Sequence, residues 1–231
     1  MENLEFWHKA NIFAHVASGL IALLLGVIAL TAPKGGKAHR KSGRLFLYFL
    51  TLVVATGLFG VLIFEVNQFL LVITVLSGYN AYSGMRVLKN KTNKINRQDI
   101  LAALFAVSTG IYFLFYIKSI GMIWSPVIIY ATLGALFLII LYDLLRYLIP
   151  ADQYGNLWLY EHIYKMVSAF TALLAAATGT AFDAYQPHSQ YLPSLFGTLL
   201  AIGFIAYFYR KNEQRAKKHS IEENKTNISD H

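Results

Sequence analysis

The side chains best suited to chemistry in this sequence are histidines and charged residues that lie within or beside long apolar stretches. His15 is inside the first of these stretches. An ionisable group in a membrane helix is costly and usually faces the interior of the helix bundle. Two interpretations of His15 stay open. It is either a functional group (a haem ligand, metal ligand or proton carrier) or a neutral imidazole that is hydrogen-bonded to a neighbouring helix.

A second group of candidates lies near the ends of two later apolar stretches. Asp143 and Arg146 are three residues apart, as are His162 and Lys165, and Glu161 and Lys165 are four apart. These spacings place each pair on one face of a helix. The residues either only orient the helices, with long side chains reaching the membrane surface, or they form a polar pocket. Such a pocket would open to the cytoplasm and would bind an anionic group or transfer protons.

His39 and Arg44 belong to a basic segment before the second apolar stretch, and the sequence predicts that they reach the same side of the membrane as the later cluster. We therefore include them in the pocket hypothesis. The complete set of candidate functional residues is His15, His39, Arg44, Asp143, Arg146, His162 and Lys165.

Haem and metal sites place stricter demands on the histidines. Haem b between two histidines needs both imidazoles at similar depth on facing helices. The sequence predicts that His39 lies in a loop, and His15 has only His8 and His188 near its depth. We therefore predict no cofactor, and keep haem b, with His15 or His162 as axial ligand, as the alternative. Without cysteine or a His-Glu-x-x-His motif, the sequence favours neither a metal site nor an enzyme.

The elements that must position these residues are apolar helices. Hydrophobic residues make up 56% of the 231-residue sequence and charged residues 14%, which is too apolar for a soluble domain of this size. A membrane-spanning helix needs about 20 apolar residues. The sequence predicts an all-α transmembrane bundle with seven such helices, at about 10–32, 45–64, 66–88, 99–117, 122–149, 158–182 and 191–209.

The distribution of positive charges predicts how the helices are oriented in the membrane. With seven crossings, 18 of the 20 Lys and Arg residues fall on one side, and only Lys9 and Lys118 on the other. Because Lys and Arg are enriched on the cytoplasmic side, we predict the N-terminus outside and the C-terminus in the cytoplasm. The net charge of +8 then indicates anionic lipid at the inner face as a partner, rather than nucleic acid. Residues 210–231 are predicted to be a disordered basic and polar tail.

Two further patterns concern packing. His15, Gly19, Ala22 and Gly26 share one face of the first helix, and small residues allow close approach of another helix. His39 precedes Gly57 by 18 residues, and His162 precedes Gly179 by 17. This similarity suggests a parallel repeat of three plus one plus three helices, a known plan of membrane proteins.

Four short motifs resemble a family of predicted bacterial membrane proteins of unknown function. They are His15-x-x-x-Gly19, His39-Arg-x-x-Gly-Arg44, Tyr142-Asp143-x-x-Arg146 and His162-x-x-Lys-Met166. Lys165 stands where the resemblance leads us to expect arginine. The resemblance implies a protein of the bacterial cytoplasmic membrane and supplies no activity.

Three functions remain open at this point. The first is a non-enzymatic transporter-like or assembly-type bundle, whose polar cluster on the cytoplasmic side handles a proton or an anionic group. The second is a redox protein that holds haem b. The third is a structural subunit that packs against a membrane-protein partner or a second copy of itself through its small-residue faces.

Overall fold

A computed structural model describes residues 2–64, 68–91, 93–94, 96–121 and 125–229, and all regular structure in these ranges is helical. Seven helices are long, and α6 is a single turn. A 3-10 turn, Arg146–Leu148, follows α5, and a second one, Asp183–Tyr185, follows α7. The helices are α1 (Glu2–Thr31), α2 (Lys37–Phe64), α3 (Phe69–Lys89), α4 (Arg97–Ile120), α5 (Pro126–Leu145), α6 (Ala151–Tyr154), α7 (Leu157–Ala181) and α8 (His188–Ser229).

Five of these helices are long and apolar enough to cross a membrane, which indicates a multi-pass membrane protein. They are α1, α2, α4, α5 and α8. Among the described residues, α3 and α7 do not reach that apolarity, although both are longer than 20 residues. They pack against each other and hold many of the buried residues. A helix that is surrounded by other helices faces little lipid, so it tolerates more polar side chains.

The core is built as two apolar clusters on either side of α3. One joins α3 to α4 and α5 around Val72, Phe113 and Leu136. The other joins α1, α2 and α7 around Phe46 and Phe170, with Ala81 as the contribution of α3. The small-residue face of α1 lies in the second cluster, because Ala22 is fully buried and Gly26 lies directly against Phe170 and Phe46.

The basic segment before the second predicted helix is helical, which corrects one sequence prediction. After a turn in which Gly35 has φ +76°, α2 begins at Lys37 rather than near 45. The Arg40 amide donates to the Gly36 carbonyl and the Ser42 hydroxyl to the Ala38 carbonyl. His39 therefore lies in the first turn of α2 and not in a loop. Charged residues lowered the hydropathy of this segment without preventing helix formation.

The C-terminal segment differs from the prediction in the same way. The sequence predicted a disordered tail over 210–231, whereas α8 continues as a helix to Ser229. Ion pairs spaced i, i+4 support the extension, with Lys217 Nζ 2.8 Å from Glu213 Oε1 and Lys218 Nζ 3.8 Å from Glu222 Oε1. The predicted turn at 65–67 and the predicted starts of the third and fifth helices, at 66 and 122, lie outside the described residues.

Candidate functional site

Four charged side chains form a buried network where α5 ends and α7 begins, which we call the charge tetrad. Asp143 and Glu161 are each 6% exposed, Arg146 is 3% exposed and Lys165 is 0% exposed. Two cations and two carboxylates give the tetrad no net formal charge. The spacings in the sequence predicted the pairing within each helix, and α3, which packs against both α5 and α7, brings the two pairs together.

The tetrad is joined through both carboxylates. Lys165 Nζ pairs with Asp143 Oδ1 and lies 3.1 Å from Glu161 Oε2. Arg146 Nη1 donates to the same Glu161 oxygen at 2.7 Å, and Arg146 Nε lies 3.9 Å from Asp143 Oδ1. Each charge therefore has an opposite charge beside it. That is the condition under which buried ions are tolerated in a medium of low dielectric constant.

Hydroxyl groups complete the hydrogen bonding of the two carboxylates. Tyr79 OH donates to Asp143 Oδ2 at 3.0 Å, and the Ser83 hydroxyl donates to the same oxygen. Tyr142 OH donates to Glu161 Oε1 at 2.9 Å. The sequence analysis named Tyr142 only as part of a motif, and it did not place Tyr79 or Ser83 at the cluster. The i, i+4 spacing of Tyr79 and Ser83 on α3 was the only local signal, and it did not indicate which helix they would face.

The short connection between α5 and α7 closes the end of the tetrad. Arg146 Nη1 donates to Tyr154 OH at 3.0 Å, and Tyr154, from α6, is fully buried. Asn93 Nδ2 donates to the Arg146 carbonyl at 2.7 Å and to the Ile149 carbonyl at 3.2 Å. The sequence analysis left open that Asp143, Arg146 and Lys165 line a polar pocket open to the cytoplasm. In the structure all four charges are buried and joined to α3 by hydrogen bonds, and Asp143 and Arg146 line a pocket of only about 10 Å³.

A separate cavity of about 890 Å³ lies between α1, α2, α3, α7 and α8. We call it the histidine cavity, because His39 and His162 both line it. Four cations also line it, and no carboxylate does among the described residues. The apolar part of the wall comes from five helices. The cations are Lys34, Arg40, Arg44 and Lys91, and the apolar wall includes Phe46, Met85, Leu88, Met166, Phe170 and Phe204.

Both cavity histidines are held by backbone carbonyl groups. His39 Nδ1 lies 2.9 Å from the Ala29 carbonyl of α1, and His162 Nδ1 lies 2.9 Å from the Gly84 carbonyl of α3. A carbonyl oxygen only accepts, so in each ring Nδ1 carries the hydrogen and donates it. In the neutral imidazole, Nε2 then keeps its lone pair. Among the described residues, no hydrogen-bond partner contacts either Nε2 atom.

The other two candidate residues have different positions. Arg44 is exposed at the edge of the histidine cavity, where its Nε donates to the Arg40 carbonyl at 3.3 Å. His15 lines a different cavity, of about 170 Å³, and its Nδ1 is 3.0 Å from Thr56 Oγ1. His15 precedes Ala29 on α1 by 14 residues, roughly 21 Å along the helix. The structure therefore does not bring His15 together with the other candidates.

Comparison with known proteins gives this chain no relative from which to transfer a function. No protein-family model matches it, and no curated protein or solved structure matches it significantly. The resemblance to predicted bacterial membrane proteins is therefore carried by the four short motifs alone. The geometry of the two sites is the basis for a functional proposal.

Proposed function

We propose that this chain is a non-enzymatic membrane protein that binds an anionic amphiphile in the histidine cavity. The proposal depends on the lining of the histidine cavity. This lining combines apolar side chains with four cations, and among the described residues it contains no carboxylate. An amphiphile with an apolar body and a negatively charged head matches such a lining, because the body contacts the apolar side chains and the head contacts the cations. The volume of about 890 Å³ lies within the roughly 300–1,000 Å³ that is typical of sites for small molecules and cofactors.

The positions of the cations support a defined orientation of the ligand. Lys34 follows the end of α1, Arg40 lies in the second turn of α2, and Lys91 follows the end of α3. All three are exposed, whereas Gly26 and Phe170 line the cavity farther from these helix ends. The anionic head would therefore lie at the cavity mouth, and the apolar part would extend between the helices. Lys91 Nζ is also 4.1 Å from the centre of the Trp158 ring, which defines one side of the mouth.

The proposal includes a topology of seven crossings in a bacterial cytoplasmic membrane. α3 and α7 would cross inside the ring of the five more apolar helices. The charge distribution supports an outer N-terminus and a cytoplasmic C-terminus, which would place the cavity mouth at the anionic inner leaflet. The large exposed apolar side chains, such as Phe13, Leu62 and Phe115, would contact lipid, a partner protein or a second copy of the chain.

Single-cysteine labelling tests this topology directly, because the natural sequence has no cysteine. In intact cells, we expect a membrane-impermeant maleimide to label Lys118→Cys, while Lys41→Cys and Lys94→Cys are labelled only after permeabilisation. Lys41 and Lys118 are both exposed in the structure, so access across the membrane decides their labelling. Labelling of Lys41→Cys and Lys94→Cys from opposite sides would contradict the proposed crossings.

Removing two cations from the cavity mouth tests the proposed ligand class. We expect the Arg40→Gln and Arg44→Gln double variant to bind the co-purifying anionic amphiphile about 30-fold more weakly than the natural protein. This estimate takes about 1 kcal/mol for each cation near a membrane surface. The measurement is mass spectrometry of molecules extracted from purified protein, followed by titration of the molecule that is identified.

The matched control is the Arg210→Gln and Lys211→Gln double variant on α8, because neither residue lines the histidine cavity. Its affinity should equal that of the natural protein. Equal losses of affinity in the two double variants would contradict the proposal. The absence of any bound amphiphile in both variants would also contradict it. A stoichiometric protein partner that co-purifies without any bound amphiphile would favour the structural-subunit alternative instead.

A further inference from the structure

We propose that the anionic amphiphile is haem b, with its iron ligated by Nε2 of His39 and Nε2 of His162. This inference rests on the proposed function and names the ligand of the same cavity. Haem b combines an apolar macrocycle with two carboxylates, so it belongs to the class that the lining favours. It adds one requirement, which is two nitrogen ligands presented to a single cavity from different helices.

The first support is the fixed orientation of the two imidazoles. A histidine that ligates a metal typically donates its other ring N–H to a backbone carbonyl or carboxylate, which sets the tautomer and aims the free nitrogen. His39 and His162 both have this arrangement, through the carbonyl groups of Ala29 and Gly84. Two nitrogen atoms with free lone pairs therefore belong to residues that line the same cavity.

The second support is the placement of the two residues. His39 is in the first turn of α2 and His162 is in the second turn of α7, so both lie near the same end of the bundle. Both also line the same cavity. They also occupy corresponding positions in the two segments of similar sequence, with Gly57 and Gly179 following at nearly equal spacing. The two ligands would therefore come from corresponding positions on α2 and α7.

The third support is that haem b would contact every kind of side chain in the cavity lining, whereas a phospholipid or a bare metal ion would not. A phospholipid would use the cations and the apolar wall, but it has no use for two oriented imidazoles. A bare metal ion would require more ligands than these two nitrogens, and the described residues contain no group of three His, Asp or Glu that could hold one. Haem b uses the histidines, the apolar wall and, through its propionates, the cations.

Absorption spectroscopy of the purified full-length protein, with haem b added if it does not co-purify, tests the inference. We expect stoichiometric haem with a Soret band, and a sharp α band after reduction, as for low-spin iron with two histidine ligands. His39→Ala and His162→Ala should each lose haem or convert it to the high-spin form. The control His15→Leu should insert, fold and keep the natural spectrum, because His15 lines a different cavity.

A ligand exchange separates loss of ligation from loss of folding. His162→Met can still ligate iron, and we expect it to retain haem with an altered spectrum and a higher reduction potential. If both alanine variants keep the natural low-spin spectrum, ligation by His39 and His162 is wrong. If the natural protein binds a lipid anion but no haem, this inference fails and the proposed function stands. If it binds neither, both fail.

Discussion

Replacing Lys165 with methionine is expected to destabilise the folded bundle by about 3–5 kcal/mol, the usual cost of removing one partner from a buried ion pair. Lys165 is fully buried and contacts both Asp143 and Glu161. Without the ammonium group, the two carboxylates share only Arg146 as a cation within the tetrad. The measurement is the free energy of unfolding in mixed micelles, titrated with a denaturing detergent.

Two companion variants make this result specific. Lys118→Met removes an exposed lysine at the end of α4 and should change stability by no more than about 0.5 kcal/mol. Adding Asp143→Asn to Lys165→Met leaves one cation and one carboxylate, Arg146 and Glu161, which still pair at 2.7 Å. We therefore expect the double variant to be more stable than Lys165→Met alone. Strictly additive losses would show that charge balance is not what the tetrad requires.

Arg146→Lys should also be poorly tolerated, although it conserves the charge. The guanidinium donates to Glu161, Tyr154 and Tyr147 in three directions, and a lysine ammonium cannot reproduce that planar geometry. Each lost hydrogen bond to a charged group costs about 1.5–3 kcal/mol, so we expect a loss of at least this size in the same unfolding assay.

The matched control is Arg44→Lys. Arg44 is exposed and its Nε donates to the Arg40 carbonyl one turn earlier, so stability should remain within about 0.5 kcal/mol of the natural protein. Similar losses for the two substitutions would contradict a special role of the buried arginine. The comparison also distinguishes the buried tetrad from the exposed cations of the cavity mouth, which sequence alone assigned to one group.

The tetrad and the histidine cavity share one helix. Glu161 and Lys165 flank His162 on α7, so the contacts that fix α7 against α5 also restrict its rotation about its own axis. Gly84 adds a close approach from the other side, because a Cβ there would lie 3.0 Å from Lys165 Cβ and 3.2 Å from Met166 Sδ. The absence of this Cβ lets α3 bring its carbonyl to His162.

The sequence by itself determined the all-helical character of the chain and its apolar helices. These properties depend on local hydropathy and helix length, which a window of about 20 residues contains. It also predicted the i, i+3 and i, i+4 spacings of the tetrad, because helical geometry relates near neighbours in the chain. The first two turns of α2 are charged and have low hydropathy, so the sequence analysis placed the start of this helix eight residues too late, near 45 rather than at Lys37.

Only the tertiary structure decided which candidates meet. His39 and His162 lie far apart in the chain, and their common cavity depends on how α1, α2, α3, α7 and α8 pack. The same packing buries the tetrad beneath Tyr79, Ser83 and Tyr154, and it places His15 in a different cavity from His39 and His162. Hydropathy shows that a helix is apolar, but not which face meets which neighbour. In this bundle that choice separates a buried ion network from two imidazoles that line a large cavity.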